Sequence, residues 1–544
     1  MAKHDSNGKT AAKAGGSTGK IAGAAGAVSI AVMCSRVLGL VREQIFAGLF
    51  GAGFAYDAFV VAFRIPNLLR DLFGEGALSA AFVTVFSEYD TNRGPEETWR
   101  LAGRVLTFFA ILLSIFTLIG IYFAEPIVNL LAPDFALIPG KTELTVLLTR
   151  IMFPFLLFVA LAAIVMGMLN TKGRFFVPAL SSAFFNLGSI IGGVSLALLF
   201  PRLNMPAIAG MAWGTLIGGL LQLLIQLPTL KKTGFRFLPS LRFNDPGLKK
   251  VLRLMLPATI GLSATQINIF VNTNFAASCA QGSVSWLNYA FRMVQLPIGV
   301  FGVAISIAAM PVMARCAARK DVVGLRQTFT SSLVMVFSLA IPATVGLILL
   351  AQPIIRLIFE HGVFTSFDTT QTAAALTCYA YGLFAYSAVK IMVPVFYALD
   401  DTKYPVMGSF LAVAANIIII KLTIATFAHQ AIALSTSAVM VLNFLFLGTV
   451  LYKKLDGYPL ARMAAGLGKI AIAAAGMALF LMQGKNWLAG LLAGPLYTEL
   501  VAIAILVATG AAIYGITLHL LGLEELDEIV EKVRTKFGRQ ISAD

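Results

Sequence analysis

Five arginines lie inside apolar segments that are long enough to cross a membrane. They are Arg36, Arg42, Arg64, Arg70 and Arg292. A charged side chain at the centre of such a helix costs about 2.5–3.5 kcal/mol on insertion scales, so we expect these arginines to face water rather than lipid. The planar guanidinium group binds a phosphate through two parallel hydrogen bonds and stays charged. The five residues therefore predict a positively charged, water-filled cavity that receives an anion.

Four acidic side chains in the same region support a second interpretation. Glu43 lies seven residues after Arg36, which puts both on one face of a helix. Asp57, Asp71 and Glu75 follow one stripe of the next apolar segment. These carboxylates could pair with arginines and lock the two helices together. They are too few to neutralise all five arginines, so we favour the anion-binding cavity over a purely structural network.

The composition shows what kind of fold must position these charges. Of the 544 residues, 58% are hydrophobic and 12% are charged, and the mean hydropathy is +0.85. Soluble domains are about 25% charged, so this chain cannot cover a water-facing surface. A soluble enzyme, a disordered protein and a disulfide scaffold are therefore excluded. Apolar runs of about 20 residues without strict alternation predict an all-α polytopic membrane protein rather than a barrel.

We predict about fourteen membrane spans on this basis. They lie near residues 26–49, 57–88, 101–122, 144–170, 177–200, 206–230, 247–278, 283–314, 324–350, 369–398, 403–426, 430–452, 460–482 and 497–521. With the N-terminus inside, the inside segments hold about 28 of the 41 basic residues and the outside segments hold about four, which fixes the orientation. Both termini are then cytoplasmic. The net charge of +15 comes from these loops, so it does not indicate a nucleic-acid partner.

Two segments of the chain resemble each other at a constant offset. Residues 62–81 and 290–309 share Phe-Arg and Phe-Gly pairs that lie 228 positions apart. This offset makes Arg64 and Arg292 equivalent, and it makes span two equivalent to span eight. We therefore expect two six-helix lobes in a parallel pseudo-repeat, followed by two C-terminal helices. Membrane proteins built from repeats are usually transporters with a site between the halves.

The domain boundaries follow from this plan. We predict a flexible cytoplasmic tail at 1–20, an N-lobe of spans one to six at 21–230, a basic cytoplasmic linker at 231–246, a C-lobe of spans seven to twelve at 247–454, two extra helices at 455–522 and a cytoplasmic tail at 523–544. The last tail alternates charged and apolar side chains, which suits an amphipathic helix on the inner membrane surface.

The sequence shows no signature of soluble catalysis. It contains no phosphate-binding Walker loop, no metal-ligand spacing and no disulfide framework among its four cysteines. We therefore predict a protein that is not an enzyme and needs no cofactor. Two alternatives stay open from the residues alone, a membrane-embedded glycosyltransferase that uses acids of the outside loops and a scaffold that transports nothing.

Several short motifs resemble one known family. They are SRVLG at 35–39 with Arg42, FGAG at 50–53, DAF at 57–59, PNLLR at 66–70, EGA at 75–77, AFV at 81–83 and GSVSW at 282–286 with Arg292. On these residues the chain is similar to the MurJ family of lipid II flippases, also called MviN, of the MOP transporter superfamily. The resemblance implies fourteen helices, a central cavity lined by spans one, two, seven and eight, and a groove for a lipid tail formed by the last two helices.

The resemblance also implies roles for particular residues. Substrate binding falls on the family's cavity arginines, with Arg64 added through the repeat. These substrate-binding residues are Arg36, Arg42, Arg64, Arg70 and Arg292. The resemblance assigns gating or charge pairing to Asp57, and the helix faces and the repeat add Glu43, Glu75 and Ser285. Glu43 departs from the family, which more often has Asp at this position.

A second departure concerns the sodium site that some relatives have. The matching positions here are Asn272 and Ile420 in place of acids, with Asn416 kept, so the resemblance does not carry sodium coupling over to this chain.

The resemblance and the residues lead to the same expected function. We expect a flippase that moves lipid-linked peptidoglycan precursor from the cytoplasmic to the periplasmic face of the bacterial inner membrane by alternating access. An ion or voltage gradient that the sequence does not identify would drive it. The expected partners are lipid II, membrane lipids and cell-wall synthesis proteins. The alternative is a related MOP-superfamily flippase or exporter of another polyprenyl-linked oligosaccharide or of a drug.

Overall fold

A computed structural model describes residues 7–71 and 77–523 of the chain. Within these ranges every regular element is a helix. Ten of the described helices are long and apolar enough to cross a membrane, and a bent pair raises the number to eleven. They run from 25 to 36 residues, more than the roughly 20 that a bilayer requires. The protein is therefore a multi-pass, all-helical membrane protein.

The described residues form two compact units. Unit 1 comprises residues up to 50 and 54–266, and unit 2 comprises residues 51–53 and 267 onward. The helices of unit 1 are α1 (Asn7–Phe50), α2 (Phe54–Arg70), α3 (Ala77–Asn92), α4 (Gly94–Tyr122), α5 (Ala124–Leu131), α6 (Lys141–Met152), α7 (Phe155–Thr171), α8 (Phe176–Leu199), α9 (Ala207–Leu224) and α10 (Leu227–Lys232). The next helix, α11 (Pro246–Ala277), contributes residues to both units.

Unit 2 contains the remaining helices. They are α12 (Ser283–Pro297), α13 (Ala304–Ala318), α14 (Val322–Leu349), α15 (Ala351–Phe359), α16 (Ser366–Ala380), α17 (Leu383–Ala398), α18 (Lys403–Phe427), α19 (His429–Lys454), α20 (Leu460–Trp487), α21 (Ala489–Leu492) and α22 (Leu496–Leu520). Helices α16 and α17 form the bent pair, with an angle of 44°.

The 228-residue offset recurs in the helix boundaries of the two units. Adding it to the first residues of α4 and α7 gives the first residues of α14 and α17. Adding it to the last residues of α6 and α8 gives the last residues of α16 and α18. The repeat that a short sequence match suggested therefore extends over most of both units.

Both units leave α-helical geometry at an equivalent position within predicted spans two and eight. Helix α2 ends at Arg70 and the next residue, Asp71, is π-helical. Helix α12 ends at Pro297 and is followed by a π-helix over Ile298–Val303, which includes Gly299, 228 positions after Asp71. π-Helical turns are often found at functional sites. The change of helix type thus lies beside Arg70 in unit 1 and at the equivalent position in unit 2.

The expected total of about fourteen spans remains a prediction. Predicted spans one, two and seven fall on α1, on α2 with α3, and on α11, which are not among the ten apolar helices. Helices α2 and α3 have 17 and 16 residues, so each alone is shorter than the roughly 20 residues that cross a bilayer.

Helices α8 and α9 pack with their backbones in contact. A Cβ atom built on Gly214 would lie 2.4 Å from the Cα of Gly193, and one on Gly218 would lie 2.4 Å from the carbonyl oxygen of Phe185. Small residues at helix interfaces allow this close approach, which supplies dispersion contacts where lipid gives no hydrophobic driving force.

Gly214→Ala is expected to lower the thermal stability of the purified protein, because the added methyl group can be accommodated only if two backbones separate. Overpacking of this kind costs about 1–3 kcal/mol. The matched control is Gly476→Ala in α20, where a Cβ would meet nothing within 4 Å. Thermal melts in detergent should show a lower midpoint for Gly214→Ala alone. Equal midpoints for the two variants would contradict the close packing of α8 against α9.

Candidate functional site

Arg42 and Glu43 form a buried ion pair on α1. The Nη2 atom of Arg42 donates to Oε1 of Glu43 at 2.8 Å, and the hydroxyl of Tyr56 donates to Oε2 of Glu43 at 2.8 Å. The guanidinium of Arg42 also lies over the ring of Phe185, 5.3 Å from its centroid. Only 8% of Arg42 and 3% of Glu43 are exposed. The charge of Arg42 is thus balanced by its sequence neighbour and held in one orientation.

Arg70 is balanced in the same way at the end of α2. Its Nε and Nη2 atoms donate to Oδ1 of Asp71 at 3.2 and 2.9 Å. The amide of Gln266 reaches the other carboxylate oxygen of Asp71 at 3.4 Å. Both charged side chains keep partial exposure, 24% for Arg70 and 30% for Asp71. This pair is therefore partly accessible, whereas the Arg42–Glu43 pair is buried.

The other predicted arginines have different environments. Arg36 lies exposed on α1 and makes no ion pair with any carboxylate of the described residues. Arg64 is half-buried on α2, and Arg292 is half-buried on α12 in unit 2. Glu75 lies outside the described residues. The structure thus brings Arg42 to Glu43 and Arg70 to Asp71, and Arg36 is the exposed one among the four predicted arginines of unit 1.

Asp57 forms a buried ion pair that the sequence did not indicate. The Nζ atom of Lys141, at the start of α6, donates to Oδ2 of Asp57 at 2.9 Å. Each residue is only 1% exposed, and the ammonium lies 4.2 Å from the ring centroid of Phe135. In the sequence Lys141 is one of the few basic residues of the segments that we predict to lie outside. That rarity was the one signal that could have singled it out.

Unit 2 has uncharged residues at the equivalent positions. The 228-residue offset relates Asp57 to Ser285 and Lys141 to Thr369, and both of these are buried. Next to Ser285, the indole Nε1 of Trp286 donates to Oδ1 of Asp368 at 2.8 Å. Asp368 also completes the capping box of α16 with Thr365, so it holds a helix end. The same fold therefore holds an ion pair in one unit and neutral side chains in the other.

A cluster of neutral polar side chains lies at the positions that match the sodium site of some relatives. The Nδ2 atom of Asn416 donates to Oδ1 of Asn272 at 2.6 Å, and Nδ2 of Asn272 donates to the hydroxyl of Thr436 at 3.2 Å. Ile420 is buried and supplies no ligand atom. In the described part of the chain, no group of three or more His, Cys, Asp or Glu side chains could hold a metal ion.

One ion pair outside the spans shows a clear shift in acidity. Asp401 lies in the loop between α17 and α18 and bonds Lys454 at the end of α19. The hydrogen bond from the Lys454 ammonium lowers the pKa of the Asp401 carboxyl. This contact connects the loop to the end of α19 and is remote in sequence from the predicted site residues.

A family model described as the lipid II flippase MurJ matches residues 46–497. The chain belongs to the lipid II flippase MurJ family. A probable lipid II flippase MurJ of Vibrio cholerae is 35% identical over 92% of this chain and 96% of that protein. The lipid II flippase MurJ of Burkholderia cenocepacia is 34% identical over 90% of this chain and 95% of that protein. The resemblance drawn from the motifs is therefore confirmed.

Solved structures support the same assignment. A lipid II flippase MurJ in an inward closed conformation aligns with a TM-score of 0.74 at 28% identity, over 90% of this chain and 97% of that chain. An inward-facing multidrug MATE transporter of the MOP superfamily aligns with a TM-score of 0.62 at 16% identity, which shows a shared fold. Members of the MurJ family are transporters, so the chain is a transporter and not an enzyme.

Proposed function

We propose that this protein flips lipid II from the cytoplasmic to the periplasmic face of the bacterial inner membrane. The family match over residues 46–497 carries the proposal, because it spans the equivalent arginine-bearing segments of both units. Lipid II has a diphosphate-sugar head and a long polyprenyl tail. Such a substrate needs cations for its head and an apolar path for its tail, and this chain combines arginine-bearing helices with strongly apolar ones.

The arginines have different proposed roles, which follow from their exposure and contacts. Arg36, Arg64 and Arg292 are at least partly exposed, so we assign them to direct contact with the diphosphate. Arg42 is held by Glu43 and Phe185, so it contributes a fixed positive field and a fixed donor orientation. Arg70 is partly exposed beside Asp71, and a diphosphate could replace that carboxylate as its partner.

The transport cycle follows from the proposed two-lobe plan. Fourteen spans place both termini in the cytoplasm, and two repeat-related lobes rock to open the cavity to each side in turn. The last two helices supply the lipid-tail groove. Asp57 and Ser285, at equivalent places in the two halves, gate the outer end. The energy source is a gradient of ions or voltage, and the neutral Asn272–Asn416 cluster favours a source other than sodium binding at that position.

The decisive experiment is depletion of the protein in its native bacterium, with the sidedness of lipid II measured. We expect lipid II to accumulate on the inner face and re-expression to clear it. An unchanged distribution after depletion would contradict the proposal. Build-up of a different polyprenyl-linked oligosaccharide would instead support the related MOP-superfamily flippase.

Arg36→Ala and Arg292→Ala are each expected to abolish complementation of a depleted strain without lowering the amount of protein in the membrane. Arg36 is exposed and Arg292 is only half-buried, so truncating either side chain removes little buried contact. Arg100→Ala, on the exposed start of α4, is the matched control and should complement normally. Normal growth with either cavity variant would contradict its assignment to the substrate.

A further inference from the structure

Residues 235–245, which we call the interfacial strap, form an irregular segment laid along the start of α4. The strap follows α10 and precedes α11, and it has no regular secondary structure. Phe235 packs edge-on against Trp99, with ring centroids 5.3 Å apart, and Phe243 packs against Phe108 at 5.5 Å. Asp245 forms an ion pair with Arg104. The strap is therefore fixed to one helix at both of its ends.

The middle of the strap comes close to the backbone of α4. A Cβ atom on Gly103 would lie 2.7 Å from the carbonyl oxygen of Leu238. Any other residue at position 103 would therefore clash with the backbone of the strap. The backbone N–H of Ser240 reaches the hydroxyl of Thr107 at 3.4 Å. Arg104 is the last charged residue of α4, and Thr107 lies about 5 Å further along the helix axis. The strap thus passes the polar end of α4 and reaches the start of its apolar stretch.

Three other apolar side chains of the strap are exposed on the surface of the protein. Leu241 is 71% exposed, Leu238 is 63% exposed and Phe237 is 54% exposed. Arg236 and Arg242 are exposed beside them. In water this pattern would leave three large apolar side chains unprotected within five residues. At a membrane surface it is favourable, because leucines and phenylalanine enter the acyl region while arginines reach phosphate groups.

Several backbone N–H groups in the middle of the strap have hydrogen-bond acceptors inside the protein. Besides the Ser240–Thr107 contact, the N–H of Phe243 donates to the carbonyl of Leu241 at 3.0 Å. The hydroxyl of Ser240 lies 3.5 Å from the N–H of Arg242. An irregular backbone is tolerated near hydrocarbon only where its polar groups find partners inside the protein. The N–H groups of residues 240, 242 and 243 have such partners.

We propose that the interfacial strap inserts into the inner leaflet and binds the phosphate groups of anionic phospholipids through Arg236 and Arg242. The assignment to the inner leaflet rests on the proposed orientation of the chain. Insertion of the strap into a membrane does not depend on that orientation. The partner of the strap is a lipid surface, because exposed charged and exposed apolar side chains alternate within one short segment. Lys231, Lys232 and Lys249 lie exposed on its two flanks and extend the positive surface. The strap would hold unit 1 at a fixed depth while the protein works.

The depth of the strap can be measured with a nitroxide at position 241. The native cysteines Cys34, Cys279, Cys316 and Cys378 are first replaced by serine or alanine. Leu241→Cys is then spin-labelled in the full-length protein in phosphatidylcholine vesicles. We expect its relaxation to respond to oxygen more than to a water-soluble nickel complex. Glu96→Cys, whose native side chain is 80% exposed, is the aqueous reference and should respond in the opposite order. A label at 241 that behaves like the one at 96 would overturn insertion and would leave a soluble partner as the occupant.

Lipid selectivity is tested with vesicles that contain phosphatidylglycerol in addition to phosphatidylcholine. We expect the protein to retain phosphatidylglycerol preferentially in native mass spectrometry. Arg236→Gln with Arg242→Gln should reduce that retention by roughly fivefold for each arginine removed. Arg315→Gln with Arg319→Gln changes the net charge equally in another exposed basic segment and serves as the control. Equal retention by both double variants would overturn the assignment of phosphate binding to the strap. Because neither readout measures flipping, both are independent of the proposed transport function.

Discussion

Lys141→Met is expected to destabilise the protein by about 3–5 kcal/mol, which makes it one of the most damaging single substitutions in unit 1. Asp57 would then be a buried carboxylate without its cationic partner, and removing one member of a buried ion pair costs energy of this order. The variant should be depleted from the membrane and should melt at a much lower temperature in detergent. Abundance by immunoblot and a thermal melt measure both effects.

The double variant Asp57→Asn with Lys141→Met separates stability from function. Replacing both members of a buried ion pair with neutral groups is often close to neutral for stability. Unit 2 already holds neutral side chains at the equivalent positions, Ser285 and Thr369, so the fold does not require charge there. We therefore expect the double variant to regain most of its abundance and still fail to complement. Full growth with the double variant would mean that the pair has no role in gating, and a double variant as unstable as Lys141→Met would contradict the charge argument.

Glu43→Ala is expected to have the second large effect. It leaves the guanidinium of Arg42 buried without its carboxylate, and it removes the acceptor of the Tyr56 hydroxyl. An uncompensated buried charge costs about 3–5 kcal/mol, and the loss of the hydrogen bond from Tyr56 adds to that cost. The variant should show low membrane abundance and a lowered melting temperature, whereas Arg36→Ala should not.

Two milder changes at the same site test the geometry. Tyr56→Phe removes one hydrogen bond to a charged acceptor, so we expect a loss of about 1.5–3 kcal/mol with the Arg42–Glu43 pair kept. Glu43→Asp keeps the charge on a shorter side chain, which cannot hold the positions of both oxygens, so we expect intermediate stability. If Glu43→Ala were no worse than Tyr56→Phe, the ion pair would contribute nothing beyond the hydroxyl contact.

Composition and periodicity predicted the class of fold because membrane helices obey simple length and hydropathy rules. The match of residues 62–81 to 290–309 predicted a repeat whose offset recurs in the boundaries of α4 and α14. Arg36 and Arg292 could be singled out because an isolated charge in an apolar run is conspicuous. The fold class, the repeat offset and the choice of these two arginines all depend on one-dimensional patterns, which a sequence displays directly. The role of Arg36 and Arg292 in substrate binding stays a prediction.

The charge pairing could not be predicted in the same way. Lys141 and Asp57 are 84 positions apart, and no local pattern brings the start of α6 to α2. The helical face assigned Glu43 to the side of Arg36, yet Glu43 bonds Arg42, because long side chains reach neighbours across the helix surface. The sequence analysis favoured an anion-binding cavity over a structural network of ion pairs, whereas the structure shows ion pairs at Arg42 and Arg70. For Arg42, removal now implies a loss of stability, since Glu43 would remain buried.

The contact between α8 and α9 has a consequence for how the protein is made. The two helices are consecutive in the chain and are joined by a short connection that includes a 3-10 turn at Phe200–Leu203. Their glycine-lined interface needs no residue from later in the sequence, so the pair can assemble in the membrane as soon as both helices have left the ribosome. Early pairing would hide the polar atoms of Ser189 and Thr215 from lipid before the rest of the bundle exists. A bulky residue at position 214 would therefore disturb the protein already during membrane insertion. The expected sign is increased degradation of the newly made chain.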